Sequence, residues 1–159
     1  VNDTNAIEIP LNDKIDELEL RMMECDAVDC PLNHKFLPGI YIREIMMPAG
    51  SLVTSMIHKT THAYFVLQGK VSVISENFGE QHIEAPFTGT TLPGTRRVLY
   101  IHENCVWVTL HPTSVQPKDD SPEALMEAVA LIEDEILEKR ENPLLGGILK
   151  NNVVTKKID

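Results

Sequence analysis

Long apolar runs are missing from this 159-residue chain, and none approaches the roughly 20 residues a helix needs to cross a bilayer. The first residues, Val1 to Pro10, also lack the basic, apolar and small-residue order of a secretory leader. Cysteine is scarce and odd in number. Cys25, Cys30 and Cys105 make no disulfide framework, so a reducing, cytoplasmic compartment is the simplest expectation. Basic residues are outnumbered, 14 Lys and Arg against 24 Asp and Glu, for a net charge of −10. A phosphate backbone is bound by clustered cations, and here only Arg96-Arg97 and Lys156-Lys157 stand together, which argues against a nucleic-acid partner. The acidic residues read as solvated faces. No glycine-rich phosphate loop or nucleophile elbow occurs, and no Ser or Thr sits beside an evident base.

What remains is ordinary globular material, 43% apolar, enough for one core. Three zones follow one another. Residues 1–38 form an N-terminal extension with a short helix over 11–24, capped by Asn12, its face made by Ile15, Leu18 and Met22. Residues 39–113 carry short β-branched and aromatic runs: Ile40 to Ile42, Leu52 to Ile57, Ala63 to Leu67, Val71 to Ile74, Val98 to Ile101 and Val106 to Leu110. Gly, Pro and Asn break them, as at Gln68-Gly69-Lys70 and Pro93-Gly94, which is the rhythm of a barrel or jelly roll. Residues 114–159 open with Ser121 as N-cap and Pro122 at the first helical position. An apolar stripe of Leu125, Ala128, Val129, Ile132 and Ile136 follows, with Lys139, Arg140 and Asn142-Pro143 at the far end. That stripe must cover the barrel wall or a partner subunit. The tail from Pro143 to Asp159, with Leu144 to Leu149, reads as an extended arm or short strand.

The stretch from Gly50 to Gly69 resembles the first motif of the cupins: a glycine, a histidine pair, a glutamate, then a "VL-x-G" turn, here Val66-Leu67-Gln68-Gly69. That anchoring puts Met56 and His58 at the paired histidines and His62 at the glutamate. The second motif resembles Thr91 to Arg97, with Arg97 near its usual histidine. The chain is also similar to small cupin-like proteins of bacteriophage and bacterial genomes, which share an "H-x-x-x-H" segment, a "PG-x-R/K" turn and a closing "W…HPT", here His58 to His62, Pro93 to Arg97 and Trp107 to Thr113. The resemblance implies a mainly β fold, a cupin-type double-stranded β-helix or jelly-roll barrel with N-terminal and C-terminal α-helices. It also implies oligomers, through strands or through the C-terminal helix and tail.

Side chains alternate along a strand, so His58 shares a face with Met56, and His62 with Tyr64 and Val66. A hairpin at Glu103-Asn104 would bring Arg97 opposite Leu110 or His111. His58, His62 and His111 would then converge at one end of the barrel as metal ligands suited to Zn, Fe, Mn or Ni. Against this, Met56 and Arg97 occupy ligand positions, and a guanidinium repels a divalent cation while favouring an anion. Arg97, Tyr64 and His111 are the candidates for binding a small anionic ligand. His82 and His102 read as surface residues. Cys25, Cys30 and His34 lack a fourth zinc ligand, while Cys105 and Trp107 read as core.

Two functions stand side by side. One is a non-enzymatic binding, structural or assembly module with a degenerate His/Arg pocket, residing in the host cytoplasm or a virion if phage-encoded. The other is a metal-dependent oxygenase or isomerase of a small organic acid, with Tyr64 as acid or base and Arg97 holding the substrate.

Overall fold

A computed structural model describes residues 9–139 and, for the backbone alone, 141–142, 147–148 and 155–157. In chain order the elements are α1 (Leu11–Met23), β1 (Leu32–Leu37), β2 (Ile40–Met47), β3 (Ser51–Thr54), β4 (His62–Ser75), β5 (Gly79–Glu84) and β6 (Phe87–Thr91). They continue as β7 (Val98–Pro112), α2 (Pro122–Ile136), β8 (Glu141–Asn142), β9 (Gly147–Ile148) and β10 (Thr155–Lys157). The mainly antiparallel β architecture with one helix at each end is the one expected.

The barrel is organised by two long strands. β4 and β7 pair antiparallel along nearly their whole length, Ala63 against Leu110 at one end and Ile74 against Val98 at the other. The first half of β4 also holds β6, and the matching half of β7 holds β2, which carries β1. Their other halves hold β5 and β3, and β10 adds to the outer edge of β3. The same two strands therefore belong to both walls. Between the walls lie Met47, Val53, Tyr64, Val66, Val71, Val73, Leu99, Ile101 and Trp107.

Gln68-Gly69-Lys70 and Glu103-Asn104 are not turns. β4 and β7 run straight through them, and the register slips between Val66 and Val71 where the ribbon bends from one wall to the other. A bulge absorbs the extra residue and sharpens the local twist, so a long strand can change sheets without ending. Gly69 sits at φ +100°, and a Cβ there would stand 2.5 Å from the Asn104 carbonyl oxygen. Only glycine fits this bend.

The helices attach by different physics. α1 buries Ile15 and Met22 as expected, but also Asp16 and Glu19, while Leu18 is only half-buried. Asn12 is not the cap; it lies inside the first turn after Pro10, and its carbonyl accepts from Arg96. Arg96, 5% exposed, is the reason two carboxylates can be buried. Its Nη1 lies 2.8 Å from Asp16 Oδ1 and its Nη2 2.8 Å from Glu19 Oε1, which also accepts from Thr54 Oγ1. α2 starts as read, with the Ser121 hydroxyl accepting from the Ala124 amide ahead of Pro122. Of the expected stripe Ala128, Val129, Ile132 and Ile136 are buried, while Leu125 is only half-buried and Ala124 is buried in its place; Val129, Ile132 and Ile136 pack on Tyr41 of the chain's own barrel. The helix ends at Ile136, sooner than Lys139 and Asn142-Pro143 suggest, because Leu137 turns extended and bridges to His58. Arg140, Pro143 and Leu144 to Gly146 lie outside the described residues, while the expected tail strand is present as β10.

Two stability outcomes follow. Gly69→Ala should cost about 3 kcal/mol in urea unfolding, since it adds both backbone strain and a backbone clash; a loss below about 1 kcal/mol would mean the bend tolerates a side chain. Arg96→Met should cost about 3 kcal/mol or more, because it strands Asp16 and Glu19 as buried uncompensated charges. Retention of full stability in that variant would show that α1 is held by its apolar face alone.

Candidate functional site

Loop 55–61 and the segment 92–97 meet at one end of the barrel and lay their side chains over the core. The Ser55 side-chain hydroxyl accepts from the Arg97 amide at 2.8 Å, and the Ser55 carbonyl accepts from Arg96 Nε at 3.3 Å. The His58 amide donates to the Thr95 carbonyl at 3.0 Å and the Gly94 amide to the His58 carbonyl at 2.8 Å. From the other side α2 closes in. The Lys59 amide donates to the Ile136 carbonyl and the Glu138 amide to the Ile57 carbonyl, both at 2.8 Å. Thr113, from the closing "HPT", ties its hydroxyl to Glu135 of α2 at 3.0 Å.

Within this frame lies a cavity of about 80 Å³, room for a few waters or a small molecule. Its polar rim is Arg43, Arg97, His58 and His62, and its wall is largely apolar, including Met56, Leu99, Trp107 and Leu137. Arg97 is 5% exposed. Its guanidinium carbon stands 5.0 Å over the Tyr64 ring and 5.9 Å from that of Trp107, and Nη2 donates to Thr91 Oγ1 at 3.0 Å. Tyr64 and Trp107 stack at 4.6 Å. Gly89 across the strand leaves the space the Tyr64 ring fills, since any Cβ there would collide with it. Burial pushes the Tyr64 hydroxyl up, and the Arg97 charge partly offsets this. Arg97 is therefore not across from Leu110 or His111, since the hairpin on which that placement depended does not exist. It faces Tyr64, Trp107 and Thr91 instead.

The three histidines do come together, as a column of tilted rings. His58 and His62 ring centres are 5.0 Å apart, and His62 and His111 are 4.1 Å apart. Beyond them the column continues through Tyr41, 5.7 Å from His111, to His34, whose Nδ1 meets the Tyr41 hydroxyl at 2.6 Å. Burial lowers all three: His58 to about 3, His62 to about 4 and His111 to about 2, with neighbouring imidazole and arginine charges adding to the effect. His62 Nδ1 donates to the Thr60 carbonyl at 3.1 Å and His58 Nδ1 to the Thr95 carbonyl at 3.3 Å. His111 is spent on Thr109 Oγ1 at 2.9 Å. Two imidazole nitrogens are buried with no partner, His62 Nε2 and His111 Nδ1.

A divalent metal, the group expected of such a barrel, does not fit this arrangement. Among the described residues no group of three or more His, Cys, Asp or Glu is placed to hold one. His111 is not among the residues lining the cavity, its Nε2 is taken by Thr109, and the Nδ1 atoms of His58 and His62 are taken by backbone carbonyls. Two guanidiniums border the same space, and among the described residues neither makes an ion pair, Glu133 acting on Arg43 only from beyond ion-pair distance.

Arg43, on β2, is the residue that sequence reasoning missed. Its signal was the alternation along β2, where Tyr41, Arg43, Ile45 and Met47 share one face. Its Nε is buried without a partner, and its charge acts on His34, His58, His111 and, from α2, Glu133. His82 and His102 lie on the outer face as expected, both against the Ser72 hydroxyl at 2.9 and 2.6 Å. Cys25 is exposed, Cys30 is packed against the core and His34 belongs to Tyr41, so these three make no zinc site. Burial raises the Cys105 thiol to about 12, in keeping with a core residue.

The neutral state of the histidines has a consequence for acid stability. Unfolded imidazoles titrate near 6.5, far above their folded values, so unfolding takes up protons below that pH. Their contribution is complete above about pH 6.5 and declines as pH falls towards the folded values. Urea unfolding should show a loss of about 4 kcal/mol between pH 7.5 and 5.5 for His58, His62 and His111 together. A flat stability over that interval would mean the rings are charged or solvated in the native state.

No known family profile matches the chain. Nor does any curated protein. Solved structures do resemble it. Ectoine synthase from P. lautus aligns at a TM-score of 0.48 and 14% identity, covering 79% of this chain and 86% of that one. An RmlC-like cupin with a double-stranded β-helix fold from Methanocaldococcus jannaschii aligns at 0.46 and 9%, covering 56% and 84%. A cupin-2 domain protein from Shewanella frigidimarina aligns at 0.43 and 12%, covering 66% and 94%. These are similarities of fold at low identity. Two walls built on one bent β4–β7 ribbon, with a helix at either end of the chain, make the fold a cupin-type double-stranded β-helix.

Proposed function

We propose that the protein is a non-enzymatic binding module that holds a small organic anion in the mouth of its barrel. The observation that carries this reading is the contrast between adjacent arginines. Arg96 is buried with two carboxylates at 2.8 Å. Arg97 is buried equally deeply, and Arg43 borders the same cavity, yet among the described residues neither has a carboxylate within ion-pair distance. Burying a guanidinium without a counter-charge costs stability, and a fold retains such a group where a ligand completes it. A planar fork with donors to spare matches a carboxylate or phosphate. The apolar wall would cover the rest of a small ligand.

The alternative, an enzyme with Tyr64 as acid or base, gains little from the geometry. Tyr64 is sandwiched between Trp107 and Arg97, and it is not among the residues lining the cavity. The assembly reading loses the face that suggested it, because the buried stripe of α2 is spent on the chain's own barrel.

Thermal shift against short carboxylates, dicarboxylates and phosphate tests the proposal. At least one anion should stabilise the wild type, and Arg97→Met should bind it about a hundredfold more weakly. Without ligand, Arg97→Met should be as stable as the wild type or more so, the opposite of Arg96→Met. A flat response across the panel, or an Arg97→Met variant as unstable as Arg96→Met, would sink the reading.

A further inference from the structure

The cavity offers acceptors as well as donors, and this narrows the ligand beyond a simple anion. A carbonyl oxygen only accepts, so His62 Nδ1, 3.1 Å from the Thr60 carbonyl, carries the ring's hydrogen. His58 Nδ1 is fixed in the same way by Thr95. Both rings are neutral near pH 7, with pKa values of about 4 and about 3. Each therefore turns a bare Nε2 lone pair away from its backbone anchor. For His62, 3% exposed, that nitrogen is buried and without a partner.

The cavity's own hydroxyls do not supply the missing donor. Thr54 donates to Glu19, Ser55 donates to the Met56 carbonyl, and Thr109 is engaged with His111. What stays open is Arg43 Nε as a donor and His62 Nε2 as an acceptor, with Arg97 and His58 in the same lining. A bare carboxylate would answer the arginines and leave His62 Nε2 unmet, or press its own lone pairs against it. A metal ion would answer the imidazoles and be repelled by the arginines.

We propose that the barrel mouth takes a small hydroxy carboxylate, its carboxylate held by Arg43 and Arg97 and its hydroxyl donating to His62 Nε2, with His58 beside it. This rests on the anion-binding reading and adds the hydroxyl to it. The lining fits the rest of such a molecule, since a short alkyl body would lie against Leu99, Trp107 and Leu137.

Matched pairs separate the two claims. Calorimetric titration of the wild type near pH 7 with butyrate, 2-hydroxybutyrate, 2-methoxybutyrate and 1,2-butanediol isolates the carboxylate, the hydroxyl and its proton in turn. The hydroxy acid should bind about tenfold tighter than butyrate, the margin expected of one buried hydrogen bond to a group otherwise left unpaired. The methyl ether, which has the oxygen but no donor, should fall back to butyrate. In His62→Phe the ratio of hydroxy acid to butyrate should drop to about one. Equal binding of butyrate, its ether and the hydroxy acid would overturn the hydroxyl assignment and leave the anion reading standing. Binding of the diol as tight as that of the hydroxy acid, or of none of the four, would overturn the anion reading itself. The ether comparison needs no variant, so the inference stays testable even if His62→Phe does not fold.

Discussion

The pairing of β4 with β7 is the constraint on which the rest depends. Each strand serves both walls, so both must leave one wall and enter the other at the same height. That requires an irregularity in the ladder, and the slip between Val66 and Val71 supplies it. Once the ribbon is bent, every other strand has a defined edge to join: β6, β2 and β1 on one side, β5, β3 and β10 on the other. The mouth is then fixed as well. His62 opens β4 and His111 stands one residue from the end of β7, so the strand ends bring both imidazoles to the same end of the barrel.

A second theme is how differently two neighbouring cations are treated. Arg96 turns outward from the barrel to α1 and brings carboxylates into the interior with it. Arg97 turns inward and finds aromatic faces and a hydroxyl. Cation–π contacts with Tyr64 and Trp107 compensate part of the desolvation, and the orientation they impose aligns the guanidinium with the cavity. Buried charges with complete partners are architecture. Buried charges with incomplete partners are a cost the fold carries at the cavity.

Much of this was legible in the residues. Ser121-Pro122 marks the start of α2 without ambiguity, because an N-cap followed by proline serves only one local geometry. The β-rich middle and its cupin-like motifs gave the right fold, and His58, His62 and Arg97 do border one cavity. The failures have physical causes. Gln68-Gly69-Lys70 has turn chemistry, yet a bulged strand and a turn need the same left-handed glycine, so composition cannot separate them. Splitting β7 into two strands then misplaced Arg97. Asn12 has capping chemistry too, but the cap position falls two residues earlier, at Pro10, and Arg96 reaches the Asn12 carbonyl. Arg43 stayed hidden because the visible run stopped at Ile42, although β2 continues to Met47.

Ser55 joins these two halves of the molecule. Its carbonyl receives Arg96 Nε and its hydroxyl receives the Arg97 amide, so the anchor of the N-terminal helix and the wall of the cavity meet in one residue. Anyone trimming the chain to a minimal barrel would remove Asp16 and Glu19 and leave two bare guanidiniums side by side on one short stretch of backbone. The N-terminal helix, which looks dispensable in length, therefore braces the segment that forms the cavity wall.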